Sequence, residues 1–216
     1  MPEINQLITL LGSLAKDEAD RVAVANLITA LDDRYDLSAK IARERGVEEI
    51  LKQLIGRLES AFGSLTGLKG KRVLDIACGS NTSRAPSFVY IDTPFGETRI
   101  PVPHTQGYTA QFEPWFCRIL LELGADPVGI DIGDLEAESF EHYAVDLGLP
   151  SGLDFLPSHS FDALQDSRLF GSPEFTARFP DRDSRLKVAR ALRDQEKRLL
   201  KADGVIVHSD AKALRG

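Results

Sequence analysis

Val73-Leu74-Asp75-Ile76-Ala77-Cys78-Gly79-Ser80-Asn81 is the stretch on which the reading of this chain turns. Lys71 and Arg72 lead into a short apolar run that carries one carboxylate, and small residues follow at once. A run of this length bounded by turn-forming residues reads as a buried strand that stops at a tight loop. Small side chains there let the backbone turn sharply and approach a ligand closely. In open α/β sheets ligands sit at such carboxyl ends, beside the point where the strand order reverses. No G-x-G-x-x-G follows, so the dinucleotide signature that meets a pyrophosphate at a helix N-terminus is absent.

The totals bound what surrounds this strand. At 216 residues the chain suits one well-packed domain with an accessory piece. With 43% hydrophobic and 27% charged residues it can build a core, which excludes wholesale disorder. A net charge of -7 opposes nonspecific nucleic-acid binding, which rewards clustered Lys and Arg. Cys78 and Cys117 make neither a disulfide framework nor a zinc site, and Cys78 reads as a small loop-lining residue. No secretory leader is evident, and Arg118 and Glu122 interrupt the most hydrophobic helix short of a membrane span. The expectation is a cytoplasmic protein with no membrane partner.

Upstream, residues 1–66 read as helices. Ile4, Leu7, Ile8, Leu11 and Leu14 recur at helical spacing, as do Val22, Ala25, Ile28 and Leu31. In a third run Val47, Ile50, Leu51, Leu54, Leu58, Ala61, Phe62 and Leu65 share a face, and Glu48 and Lys52 form an i,i+4 pair. The 32–36 segment breaks the second run from the third. This prefix is either a packing layer or a cap over the mouth of the site. Residues 67–70 link it to a second unit, 67–216.

Downstream, residues 87–91 and 99–102 flank Thr93-Pro-Phe-Gly96 and read as a β-hairpin. His104, Tyr108 and Phe112 follow in a loop, and Gly124 stops the next helix, which carries Trp115, Phe116, Ile119, Leu120 and Leu123. Residues 82–112 are thus an insertion, either a lid over the site or a shield for a sheet edge. Val128-Gly-Ile130-Asp131 and the run from Phe140 to Val145, before Asp146-Leu147, are the next strands, with one or two helical turns between them. Phe161-Asp162-Ala-Leu164 precedes Gln165 and Asp166. A long helix then starts at Asp183 or Ser184, with Leu186, Ala189, Leu192, Leu199 and Leu200 buried. Gly204 ends it at C′, and Val205-Ile-Val-His208 is the fifth strand.

Asp75-Ile-Ala77-Cys78-Gly79-Ser80-Asn81 resembles the first motif of class I S-adenosylmethionine-dependent methyltransferases, acid-x-G-x-G-x-G, with Ala77 and Asn81 at two of its glycines. The resemblance extends over residues 68–210. It implies an α/β, Rossmann-like sheet of strand order 3-2-1-4-5, without the terminal antiparallel pair the family usually adds. It also implies that S-adenosyl-L-methionine is held by Asp75, Ala77, Cys78, Gly79 and Ser80 of the loop. Asp131 would take the ribose hydroxyls, Ile132 the adenine edge, and Asp146 with Leu147 the adenine amino group and ring. Gln165 and Asp166 would face the transferred methyl. Asp131 lies much farther from the loop than the usual spacing of about 20 residues, and the inserted hairpin accounts for the excess. A strand-end carboxylate also serves as a helix cap, but Asp134 is placed for that task.

The implied chemistry is in-line displacement at a sulfonium methyl, which needs alignment and exclusion of water more than a catalytic group. A base is required only when the acceptor carries a proton. Asp166, His104 and Tyr108 are the candidates for acceptor contact. The favoured expectation is methylation of a small molecule. A noncatalytic S-adenosylmethionine-binding protein and a dinucleotide oxidoreductase are the alternatives.

Overall fold

A computed structural model describes residues 2–44, 46–79, 88–93, 96–101, 113–133, 135–149, 151–166 and 169–210. The helical prefix is α1 (Pro2–Gly12), α2 (Glu18–Tyr35), α3 (Leu37–Arg43) and α4 (Val47–Phe62). The Asp17 side chain caps α2 by accepting from the Asp20 N–H. The break after α2 falls at Asp36, whose left-handed φ of 53° turns the chain into α3. Gly63, at φ 78°, ends α4. On α4, Lys52 lies 3.9 Å from Glu49 rather than pairing with Glu48.

After a 3₁₀ turn at Thr66–Leu68 comes β1 (Arg72–Ile76), the central strand. β2 (Phe88–Thr93) and β3 (Gly96–Pro101) pair antiparallel, as the hairpin reading expected. α5 (Trp115–Glu122) ends in a Schellman turn: Gly124, at φ 77°, donates to Leu121 O, and Ala125 N–H donates to Leu120 O. β4 (Asp126–Asp131) and β5 (Glu141–Ala144) follow, then β6 (Phe161–Asp166), α6 (Pro173–Arg178), α7 (Arg182–Leu199) and β7 (Leu200–Ser209).

The five strands β5-β4-β1-β6-β7 form one all-parallel sheet, which is order 3-2-1-4-5 of a Rossmann-like fold. The hairpin does not extend it; β2 and β3 form a sheet of their own, packed against α6. Alternation along the strands divides two cores. Val73 and Ala163 face α2, α4 and α5 in one cluster that includes Leu27, Leu31, Leu51, Leu58 and Trp115. Leu74, Ile76, Val128, Ile130 and Leu164 face α7, where Ala189, Leu192 and Leu199 cover them. The helical prefix is therefore one outer layer of the same sandwich.

Three expectations are corrected. No helix forms over residues 135–139, which are irregular; residue 134 lies outside the described residues. α7 begins earlier than expected, with Asp181 as N-cap accepting from the Ser184 N–H. Gly204 does not cap α7, which ends at Leu199 with Leu200 already extended. Gly204 instead lies where β7 shifts register on β6. A Cβ there would meet Leu200 Cδ2 at 2.9 Å and Lys201 O at 3.1 Å, so close approach, not helix termination, requires glycine. Among the described residues no helix is long and apolar enough to cross a membrane.

Candidate functional site

β1 delivers its chain to the site through two left-handed residues. Ala77 sits at φ 63° and Gly79 at φ 102°, so the backbone reverses tightly at the strand end. An alanine in this region costs about 1–2 kcal/mol, a strain that persists only where the surroundings fix it. They do so here from β4. Cys78 N–H donates to Ile130 O at 3.0 Å, and Gly79 N–H donates to Asp131 Oδ2 at 3.0 Å. Asp131 Oδ1 accepts from the Gly133 N–H at 3.0 Å. One carboxylate thus ties the loop after β1 to the loop after β4. A carboxylate offers about four lone-pair sites, so this bracing is compatible with further donors.

Asp75 is 2% exposed and lies within the strand rather than on the loop. Gln165 Nε2 approaches its Oδ1 at 3.5 Å, and the Cys117 thiol approaches its Oδ2 at 3.7 Å. Register continues the row, with Asp75 opposite Gln165 and Gln165 opposite His208. Three polar side chains on adjacent parallel strands therefore line up across the sheet. All three line a cavity of about 260 Å³, with Ala77 and Cys78 at the β1 end. Its opposite wall is the prefix, through Ile50, Gln53, Leu54 and Arg57 of α4, with Trp115 and Phe116 from the start of α5.

The two thiols flank a gap left by Gly129. A Cβ there would lie 2.9 Å from Cys78 Sγ and 3.3 Å from Cys117 Sγ. The Cys117 thiol, hydrogen-bonded to Cys78, favours the Cys78 thiolate. Burial and the carboxylates of Asp131 and Asp75 outweigh it and push the Cys78 thiol up to about 11. Burial raises Cys117 as well, helped by its Cys78 neighbour and Asp75. Both stay protonated at neutral pH, which suits a packing role rather than a nucleophile.

The remaining candidates are dispersed. Ile132 is 38% exposed beside Asp131. Asp146 accepts from Gly148 N–H at 2.8 Å and is ion-paired with Arg178 of α6. Leu147 lines a separate cavity of about 110 Å³ against α7, with Val188 and Leu192. Asp166 is fully buried and turned away from the larger cavity. It accepts from Ser209 Oγ at 2.9 Å and from the Asp210 N–H. Ser80, Asn81, His104, Tyr108, Phe112 and Asp134 lie outside the described residues. Among the described residues no three His, Cys, Asp or Glu side chains are grouped to hold a metal ion.

Sequence reasoning missed Gln53 and Arg57, and also His208 with Asp210. The first two follow one another at i,i+4 beside the apolar face of α4, a spacing that puts them on one side of the helix. His208 closes an apolar run much as Asp75 interrupts one, and that parallel was the available signal. A buried cluster shapes the rim. Glu113 is ion-paired with both Lys40 and Arg118, and Arg118 also meets Glu138 at 2.7 Å and stacks 4.1 Å over the Tyr35 ring. That cluster holds α5 and its aromatic residues against α2 and α3. No protein-family model, curated protein or solved structure matches this chain, and the site is known by its own geometry alone.

Proposed function

We propose that this chain binds S-adenosyl-L-methionine at the carboxyl ends of β1 and β4 and transfers its methyl group to a small-molecule acceptor. One observation carries the reading. A strained, small-residue turn after the central strand is braced by the carboxylate that ends the neighbouring strand, Gly79 N–H to Asp131. That pairing sets a close-approach loop at the end of β1, the strand that borders the switch point between β1 and β6, next to the acid we assign to the ribose. The adenosine half lies over Asp131 and Ile132, and the methionyl half enters the cavity. There Arg57 supplies a cation for the carboxylate and Gln53 a hydrogen-bonding partner. The sulfonium methyl then points along the polar row toward β6 and β7. The protein contributes alignment and exclusion of water.

The second reading, a noncatalytic binder of the same cofactor, draws support from Asp166, which faces a buried network instead of the methyl group. Calorimetric titration with S-adenosylhomocysteine, the unreactive product, tests the common part of both. Saturable binding at one site per chain is expected. No heat of binding, with a folded protein, removes both readings.

A further inference from the structure

His208 and Asp210 stand together where the row of polar strand ends runs out. His208 Nε2 lies 2.8 Å from Asp210 Oδ1, and both side chains line the cavity that Asp75, Ala77 and Gln165 line from β1 and β6. β7 ends at Ser209, so Asp210 lies just past the strand, and the hydrogen bond to His208 is what joins the pair. Ser209, between them, faces the other way. Its hydroxyl donates to Asp166 Oδ2 and lies 3.2 Å from Glu196 Oε1, while the Asp210 N–H also donates to Asp166. This buried anchor fixes the strand end, and with it the angle at which the pair meets the cavity.

The hydrogen bond decides which imidazole nitrogen is basic. Asp210 carries no proton to give when ionised, so Nε2–H is the donor, and the lone pair of the neutral ring is on Nδ1. The rest of the cavity narrows the partner. Beside Gln53 and Arg57, given above to the methionyl half, its other wall carries the apolar and aromatic Ile50, Leu54, Trp115 and Phe116. Imidazole is a modest base. It suits a phenolic hydroxyl, of pKa about 10, far better than an aliphatic alcohol.

We propose that His208, oriented by Asp210, is the catalytic base of this site and that the acceptor is a small aromatic hydroxyl. The inference rests on the S-adenosylmethionine reading above. As the phenolic oxygen attacks, its proton passes to His208 Nδ1 and an O–CH3 bond forms. The methyl–sulfur bond breaks, and its electron pair stays on sulfur. The products are a methyl aryl ether and neutral S-adenosylhomocysteine, and the imidazolium returns its proton to solvent. His208 is the catalytic residue and Asp210 a positioning residue.

The test uses the full chain with methyl-labelled S-adenosylmethionine and, in separate arms, catechol, 4-methylphenol and benzyl alcohol. Transfer is expected to at least one phenol and not to benzyl alcohol. His208→Asn should lower kcat at least about 100-fold, with KM and S-adenosylhomocysteine affinity little changed. Asp210→Asn should lower kcat as well, because an amide N–H facing Nε2 reverses the tautomer. Added imidazole should restore activity to His208→Ala, which a merely structural role does not allow. The proposal is overturned by undiminished kcat in His208→Asn, by no imidazole rescue, or by transfer to benzyl alcohol alone. It is equally overturned if a wild-type chain that binds S-adenosylhomocysteine methylates neither phenol. Failure of the wild type to bind S-adenosylhomocysteine is a different result and removes the functional reading itself.

Discussion

Asp131 performs a structural task that is visible and, under the proposed function, a binding task as well. Its two oxygens hold the N–H groups of Gly79 and Gly133, and the ribose hydroxyls would donate to the same carboxylate. Asp131→Ala is expected to weaken S-adenosylhomocysteine binding by about 1.5–3 kcal/mol, the scale of hydrogen bonds to a charged group. Calorimetry reads that as a rise in Kd, and an unchanged Kd removes the ribose assignment. Residues of this kind were legible because strand ends are legible. A carboxylate at the close of an apolar run, before small residues, has few other places to go. Asp166 was misplaced for a reason equally local. Gln165 faces the cavity, so its successor must face the opposite side, toward Glu196. Which of two adjacent polar residues faces the site depends on strand parity, and the irregular pairing of β6 with β7 hides that parity from the sequence.

At the scale of elements, the approach of β4 to β1 and α5 depends on Gly129. A methyl group there would meet Cys78 Sγ, Phe140 Cε2 at 3.1 Å and Cys117 Sγ, none of which ends a long flexible side chain. Gly129→Ala should therefore destabilise the fold by about 1–3 kcal/mol through overpacking, measured as a lower urea midpoint. The same substitution pushes on Cys78 in the loop, so weaker S-adenosylhomocysteine binding is expected alongside. The helices and strands themselves were largely written in periodicity and punctuation: Gly124 ends its helix where expected, while Gly63 ends α4 short of Leu65, which the periodicity had placed on its face. Gly204 resembled them in sequence and does different work, because a glycine records only that a side chain would be in the way. The cause, helix end or register shift, is tertiary. The role of α4 was hidden similarly. Its apolar face predicted burial, but only the packed sheet shows that its edge, at Gln53 and Arg57, overhangs the cavity.

For the whole molecule, the buried acid at the β6–β7 end sets a pH dependence. Burial, reinforced by the Asp166 carboxylate, raises Glu196 to about 8, against 4.5 for a free glutamate. Below about pH 4.5 the group is protonated whether the chain is folded or not. Between there and about 8 the folded protein keeps a proton that the unfolded chain releases. The unfolded state then binds fewer protons, so stability falls as pH rises through that window and levels off above it. Urea midpoints at pH 5.5, 6.5 and 7.5 should decline in the wild type and stay nearly level in Glu196→Gln. Equal slopes in the two proteins would assign the decline to other groups. Asp162 works in the opposite sense: burial opposes its charge, but Lys201, the Arg72 N–H and Lys71 together hold its pKa below the usual carboxylate range. Its contribution is lost only as pH falls through that lower range, outside the Glu196 window.

The all-parallel sheet also governs the order in which the chain can assemble. No two neighbours in it are joined by a hairpin. β1 meets β4 across a separation of 54 residues, as between Arg72 and Asp126, and meets β6 across 90, as between Asp75 and Gln165. Such distant pairings make folding slow, because loop closure is paid before any contact rewards it. During synthesis from the N-terminus, β1 emerges with both edges unsatisfied and waits for partners not yet made. What exists by then is the helical layer, complete at Phe62, against which Val73 packs. Placed ahead of the sheet, that layer gives the central strand a surface to rest on during the wait, as a growing chain needs and a finished one no longer reveals.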